Sequence, residues 1–250
     1  MMQWRSRTLL LAAGLSVSAQ VLAAGNILIW PIDPYLDADA KAAELWIQNQ
    51  SDTATTMQVR VVGWQQQQGH EKYQSQQDVV ASPPIVRIEG GGKQLIRLIK
   101  QNVVPAGQEL AYRIVVDEIP PPVESGNPQM GLKLQMRYSI PLFSYGAGME
   151  IHKTASNHAN AESEKLSWRV VNENGQPALQ VTNRGNVHAR LSQVTLRQGS
   201  QKRALTDGLM GYVLSGSQRE WPLPASFTQP DHLSATINTR SGQWQSSPVN

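Results

Sequence analysis

Residues 110–116 read Leu-Ala-Tyr-Arg-Ile-Val-Val, with apolar side chains at every second position. A period of two places alternate side chains on opposite faces of a strand, so this stretch predicts a half-buried β-strand. The same alternation occurs in residues 57–61 and 94–98. No segment has the long apolar stripe that is typical of an amphipathic helix. The sequence therefore predicts an all-β fold of the sandwich type.

Turn-forming residues divide the chain into two sets of short strands. About seven candidates precede residue 143, as expected for one immunoglobulin-like sandwich, near residues 26–32, 43–50, 56–64, 79–88, 94–101, 109–117 and 130–142. A second set begins near residue 165. Between them, residues 144–148 (Ser-Tyr-Gly-Ala-Gly) are small and predict an interdomain hinge. We therefore expect an N-terminal domain at 25–146 and a C-terminal domain at 147–250.

The first 24 residues have the composition of a secretory signal peptide. Arg5 and Arg7 precede an apolar stretch, 8–22, that ends in small residues. This stretch is shorter than the roughly 20 residues that a membrane span needs, so we expect export and cleavage rather than membrane insertion. Loss of the two arginines would lower the formal net charge of +3 by two. Such a small charge gives no electrostatic reason to expect nucleic-acid binding.

The residues that usually carry enzyme chemistry are scattered or missing. The chain has no cysteine, so disulfides cannot stabilise it. Its five histidines show no metal-ligand spacing, and there is no nucleophile elbow. Residues 90–92 are three glycines without the Lys-Ser/Thr of a phosphate loop, and we interpret them as a hairpin turn. We expect no enzyme activity, no cofactor and no metal.

Two compositional biases have more than one interpretation. The glutamine-rich segment at 65–77 predicts an exposed hairpin or loop, and a partner-binding flap is the alternative. Seven tryptophans could form a ligand platform, but five lie within strand patterns, where core packing is the better interpretation for most: Trp30, Trp46, Trp64, Trp168 and Trp221.

Several strings resemble the periplasmic chaperones of the chaperone–usher pilus pathway. In the first half these are residues 82–98 (Ser-Pro-Pro-Ile-Val-Arg-Ile, a glycine turn, then Lys-Gln-Leu-Ile-Arg-Leu), 112–121 (ending Glu-Ile-Pro-Pro) and 130–143. Residues 179–191 and 211–217 are similar to that family's second domain. Residues 29–32 and 137–141 are most similar to its archaic branch, which assembles sigma-type fimbriae.

The resemblance implies two immunoglobulin-like domains in an L-shaped arrangement and a function based on strand pairing. A pilus subunit is a sandwich that lacks one strand, and the chaperone supplies the missing strand from its own sheet edge. The subunit is later delivered to an outer-membrane usher. The strand supplied here is expected at 130–140, after the proline-rich loop 120–128. The subunit-binding side chains would be Met130, Leu132, Leu134, Met136, Tyr138 and Ile140.

The sequence departs from the better-known branch of this family at one site. That branch holds the terminal carboxylate of its client with two basic residues in the cleft between the domains. The matching positions here fall near Asp33 and at Ser139, which are not basic. Arg87 and Arg137 lie in the matching strings and are the predicted replacements, with ordinary surface arginines as the alternative. A secreted structural or adhesive immunoglobulin-like module remains the rival interpretation of the whole chain.

Overall fold

The structure is a computed structural model that describes residues 27–120, 135–149, 162–238 and 242–249. It confirms the all-β prediction, since its regular structure is β-strands apart from one short 3-10 turn, Ser163–Lys165. Within the described residues, no helix has the length and apolar character needed to cross a membrane. The predicted signal peptide and residues 130–134 of the strand that is predicted to pair with the subunit lie outside the described residues.

Ten strands between residues 27 and 145 form two sheets. The strands are β1 (Ile27–Trp30), β2 (Tyr35–Leu36), β3 (Ala42–Asn49), β4 (Thr55–Gln67), β5 (His70–Gln74), β6 (Val79–Ser82), β7 (Ile85–Ile88), β8 (Lys93–Lys100), β9 (Glu109–Ile119) and β10 (Arg137–Tyr145). One sheet has the order β1-β3-β8-β6. The other has the order β2-β10-β9-β4-β5, and β7 also pairs with β4. Alternate apolar side chains of both sheets fill the core between them.

Eight strands between residues 166 and 246 form a second pair of sheets. They are β11 (Leu166–Glu173), β12 (Gln176–Asn183), β13 (Ala189–Gln198), β14 (Gln201–Ala204), β15 (Leu209–Val213), β16 (Gln218–Pro222), β17 (His232–Ile237) and β18 (Gln243–Ser246). Their orders are β11-β12-β16 and β14-β13-β17-β18, with β15 paired to β13. Trp168 and Trp244 are almost fully buried in the core that these sheets enclose.

Two local predictions for the first domain are wrong, both because the chain crosses from one sheet to the other. The strand expected at 79–88 is two strands, β6 and β7, which belong to different sheets. Pro83 and Pro84 separate them, and proline cannot donate a ladder hydrogen bond. The glycines at 90–92 connect β7 to β8 across the two sheets and do not close a hairpin. Gly90 is required there because a Cβ would lie 2.5 Å from the carbonyl oxygen of Asp52.

The hinge expected at 144–148 is packed into the first domain. Ser144 and Tyr145 end β10 and are almost fully buried. The Gly146 N–H donates to the Gln108 carbonyl at 2.8 Å, and a Cβ on Gly146 would lie 1.9 Å from the Pro105 carbonyl oxygen. Residues 144–146 therefore belong to the packed part of the first domain.

Trp30 and Trp46 do not contribute to the core. Their rings stack on the outer face of the β1–β3 pair, with centroids 6.2 Å apart and planes 10° from parallel. The Lys93 ammonium lies 5.3 Å from the centroid of Trp46. Core packing does hold for Trp64 and Trp168, which are 2% and 1% exposed.

Candidate functional site

Strand β10 has an open edge over most of its length. One side pairs with β9 in antiparallel register, from Arg137 opposite Asp117 to Tyr145 opposite Glu109. The other side pairs with β2 at Phe143 and Ser144. Within the described part of the chain, no strand pairs with this side from residue 137 to residue 142. An unpaired edge of this kind is a template on which another strand can form.

The register shows which backbone groups point out of this edge. The Glu118 N–H donates to the Met136 carbonyl across β9 and β10 at 3.1 Å, so this opposed pair is hydrogen-bonded. Hydrogen-bonded and non-hydrogen-bonded pairs alternate along an antiparallel ladder. The backbone groups of Arg137, Ser139 and Pro141 therefore face outward. Proline is tolerated at 141 because no N–H is needed toward β9 at that position. The outward N–H donors of the described edge are those of Arg137 and Ser139.

The side chains of β10 change in exposure along the strand. Tyr138, Ile140 and Leu142 face the core of the first domain, and Ile140 is 7% exposed. Met136 has the same parity but is 39% exposed. The Ile140 side chain is therefore packed in the core of the chaperone's own first domain. Of the six predicted subunit-binding residues, Met136 is the one described here with an exposed side chain, while Met130, Leu132 and Leu134 lie outside the described residues.

Arg137 belongs to a charged group at the beginning of β10. Asp117 on β9 accepts hydrogen bonds from Arg137 and from Arg60 on β4. Partial burial by itself would raise the pKa of Asp117, but these two guanidinium groups outweigh it and hold the pKa below its usual value. Both arginines remain about half exposed or more, so Arg137 can reach a ligand in addition to Asp117.

The two predicted anchor arginines lie far from the junction between the domains. Arg87 is on β7 and pairs with Glu89 at 3.0 Å, and strands β4 and β9 separate it from β10. Arg137 is eight residues from Tyr145, the end of β10 nearest the second domain, which is about 26 Å along a strand. Neither therefore occupies the cleft in which the better-known branch holds its client's carboxylate.

The second domain packs against the other end of the same sheet. An aromatic and aliphatic cluster joins the domains, formed by Trp64, Phe143, Tyr145, Val187, Tyr212 and Leu214. The ring of His188 stacks on Phe143 at 3.6 Å. Glu109 accepts from the backbone N–H of His188 at 2.9 Å and lies 2.7 Å from its Nδ1. Both side chains are buried, so these hydrogen bonds are shielded from water.

Gln66 adds a second polar connection at the junction. Its Nε2 donates to the Tyr212 carbonyl at 2.7 Å, and its Oε1 accepts from the Leu214 N–H at 2.9 Å. It is thus paired with the second domain's backbone through both ends of its amide. The glutamine-rich segment forms the predicted hairpin, β4–β5, but this contact with the second domain was missed. A strand pattern alone cannot show which side chains of a polar run will be buried by another domain.

The cleft near the junction contains cations that the sequence did not single out. Arg113 lies opposite Pro141 in the register, and its guanidinium stacks 3.7 Å from the ring centroid of Trp64. Its buried Nε has no hydrogen-bond partner among the described residues. Asp33, at the edge of the same cleft, has a pKa raised by burial, although a backbone hydrogen bond and the charge of Arg190 oppose that shift.

Comparisons with known proteins identify the family. Residues 35–150 match the model of the N-terminal domain of PapD, the pili and flagellar-assembly chaperone. The chain is 33% identical to the chaperone in the CsuC–CsuE chaperone–tip adhesion subunit pre-assembly complex from the archaic Csu pili of Acinetobacter baumannii. That match has a TM-score of 0.70 and covers 89% of this chain and 97% of that one. The protein therefore belongs to the family of pilus-assembly chaperones, and the resemblance seen in the sequence is confirmed.

Two more distant structures share the fold. The E. coli chaperone DraB is 19% identical with a TM-score of 0.60, over 90% of this chain and 97% of that one. A chain of the Salmonella enterica complex of the SafA pilin with the SafB chaperone is 17% identical with a TM-score of 0.62, over 88% and 95%. A comparison with curated protein sequences gives no match.

Proposed function

We propose that this pilus-assembly chaperone works in the periplasm, where it binds a fimbrial subunit through the open edge of β10 and then delivers it to an outer-membrane usher. The observation that carries the proposal is the edge from Arg137 to Leu142, with which no other strand of the described residues pairs. A subunit that lacks one strand exposes an apolar groove and unpaired backbone groups, both of which promote aggregation. A strand from the chaperone can satisfy the backbone while alternate side chains fill the groove.

The donor side chains are proposed to be those that precede the domain's own core residues on the same face of the strand. Exposure rises from Ile140 toward Met136, and the same parity continues to Leu134, Leu132 and Met130. On this proposal, Tyr138 and Ile140 support the strand from within the chaperone, and the earlier apolar residues enter the subunit.

For the client's carboxylate we keep two alternatives. Arg137 and Arg87 are the anchors proposed from the sequence, and they would bind it at the far end of the sheet. Arg113 is the second candidate, because it lies beside β10 at the cleft and its buried Nε has no hydrogen-bond partner among the described residues. We assign no catalytic role to any residue. The rival role as a structural or adhesive module does not explain the family relationship with a chaperone that is solved together with a tip adhesion subunit.

The experiment replaces Leu134 with aspartate and measures how much subunit is recovered with the chaperone. Burying a leucine contributes roughly 1.5–3 kcal/mol, and placing a carboxylate in an apolar groove costs several more, so Leu134→Asp should abolish capture. The matched control is Val80→Asp, because Val80 is a 40% exposed apolar residue on β6, in the other sheet. Both variants are produced together with the fimbrial subunits and purified from the periplasm.

We expect Val80→Asp to carry the subunit in the amount found for the unmodified chaperone, and Leu134→Asp to carry none while it melts at a similar temperature. If most of the Leu134→Asp variant is unfolded, and the molecules that remain folded still carry subunit normally, Leu134 belongs to the chaperone's core. The proposed donor strand would then be wrong.

A further inference from the structure

The tip of the β4–β5 hairpin lies directly against β16 of the second domain. The Gly69 carbonyl accepts hydrogen bonds from the Glu220 N–H at 2.9 Å and from Nη1 of Arg219 at 3.0 Å. Gly69 has φ +81°, and a Cβ on it would lie 2.5 Å from Cδ of Glu220. The backbone of the tip thus approaches the Glu220 side chain as closely as glycine allows.

This contact brings together three side chains that can bind a metal ion. The Nε2 of His70, next to the tip, lies 3.0 Å from Oε1 of Glu173. One ligand atom from each of His70, Glu173 and Glu220 can be chosen so that all three lie within 4.8 Å of one another. The residues come from β5, β11 and β16, so the cluster joins the hairpin of the first domain to one sheet of the second. Sequence spacing could not reveal a set contributed by three separate strands.

The charges around the cluster favour a cation. Among the described residues, no lysine or arginine forms an ion pair within 4.0 Å of either glutamate, and His70 is the partner of Glu173. The neighbouring Arg219 instead donates to the Gly69 carbonyl and lies 4.0 Å from Glu71. Two carboxylates and a single imidazole are therefore close together.

A second layer of hydrogen bonds orients one of these carboxylates. Nε2 of Gln180 donates to Oε1 of Glu220 at 2.6 Å, and Nε of Arg169 donates to Oε1 of Gln180 at 2.8 Å. Metal ligands in proteins are commonly fixed by outer hydrogen bonds of this kind. The Glu220 carboxylate is consequently held in place while its other oxygen can coordinate an ion.

We propose that His70, Glu173 and Glu220 bind a zinc ion that clamps the hairpin to the second domain. Imidazole and carboxylate groups are ordinary zinc ligands at about 2.0–2.2 Å, which places tetrahedral ligand atoms about 3.3 Å apart. The His70 and Glu173 ligand atoms are already 3.0 Å apart, and no pair in the set is separated by more than 4.8 Å. Magnesium and calcium prefer sites built entirely from oxygen ligands, so the histidine favours zinc. His70 is 55% exposed, which leaves water access to the fourth position.

The test is calorimetric titration of zinc chloride into untagged, chelator-treated chaperone without any subunit. We expect one site in the unmodified protein and at least tenfold weaker binding in His70→Ala and in Glu220→Gln. Zinc should raise the melting temperature of the unmodified protein and of the control below, but much less that of these two variants. The control is His232→Ala, because His232 lies on β17 in a different sheet, and its affinity should stay within twofold.

The inference is overturned if the unmodified protein does not bind zinc, or if His70→Ala and Glu220→Gln retain its affinity. A loss in His232→Ala equal to that in His70→Ala would overturn it as well, since the ion would then lie elsewhere. Circular dichroism checks that each variant is folded, and Glu173→Gln takes the place of any variant that is not. Because no subunit is present, the result is independent of the proposed capture of a client.

Discussion

Proline at position 139 tests the assignment of the β10 backbone, because it removes one outward N–H and leaves the ladder with β9 intact. Ser139 lies opposite Val115 in a non-hydrogen-bonded pair, and Pro141 already occupies the next equivalent position. The isolated chaperone should therefore lose little stability relative to Ser139→Ala, about 1 kcal/mol or less. Binding of a subunit should be weakened much more, since its matching carbonyl is left without a donor.

An unsatisfied buried group costs about 1–3 kcal/mol, which corresponds to a roughly 5- to 150-fold increase in the dissociation constant. The assay measures the affinity of purified Ser139→Pro and Ser139→Ala for a fimbrial subunit, together with their free energies of unfolding in denaturant. A second pair of variants, Tyr138→Pro and Tyr138→Ala, tests a residue whose N–H points toward β9 instead of outward. The Tyr138 N–H faces β9, so proline there should destabilise the chaperone by about 1–3 kcal/mol beyond alanine.

Two results would refute this reasoning. If Ser139→Pro binds the subunit as well as Ser139→Ala does, the open edge is not where the subunit pairs. If Ser139→Pro is destabilised as strongly as Tyr138→Pro, each relative to its alanine variant, the hydrogen-bonding pattern inferred for β10 is wrong.

Two further predictions concern charged side chains. Arg137→Ala or Arg87→Ala should weaken subunit capture by about 10- to 150-fold if that arginine anchors the carboxylate, because a hydrogen bond to a charged group contributes about 1.5–3 kcal/mol. Arg137→Ala should also raise the pKa of Asp117, which an NMR titration can measure. Unchanged capture in both, with a loss in Arg113→Ala, would move the anchor to the cleft. Glu109→Ala removes the acceptor of two buried hydrogen bonds to His188 and should lower the free energy of unfolding by about 2–6 kcal/mol. The control Glu164→Ala, at an exposed position, should change it by less than about 0.5 kcal/mol. A loss below about 1 kcal/mol for Glu109→Ala would contradict the importance of this contact.

Local patterns were sufficient to predict most of the strands. The alternation at 110–116 is an 11-residue strand in the centre of its sheet, and the prediction near 43–50 is within a residue of β3. The pattern failed where the chain changes sheets. Residues 79–88 were predicted as one strand, but Pro83 and Pro84 interrupt it and the chain crosses there from one sheet to the other. The two-residue strand β2 is too short to give a periodic signal.

Contacts between the domains could not be predicted because they depend on residues far apart in sequence. Gln66 has the same side chain as its exposed neighbours Gln65 and Gln67, and the packing of Tyr212 and Leu214 against it determines its burial. His70 had no ligand partner at helical or loop spacing, and its neighbours Glu173 and Glu220 are more than 100 residues away along the chain. The anchor arginines were selected from matching strings, which carry no information on distance from the cleft.

Amide hydrogen exchange of β10 measures the central claim directly. The N–H groups of Arg137 and Ser139 face the open edge, whereas that of Tyr138 is bonded to β9. In the chaperone alone, the amides of Arg137 and Ser139 should exchange faster than that of Tyr138. On binding of a fimbrial subunit they should become protected, because each then donates to the subunit's strand. Protection confined to other strands, with Arg137 and Ser139 still exchanging rapidly in the complex, would contradict the account.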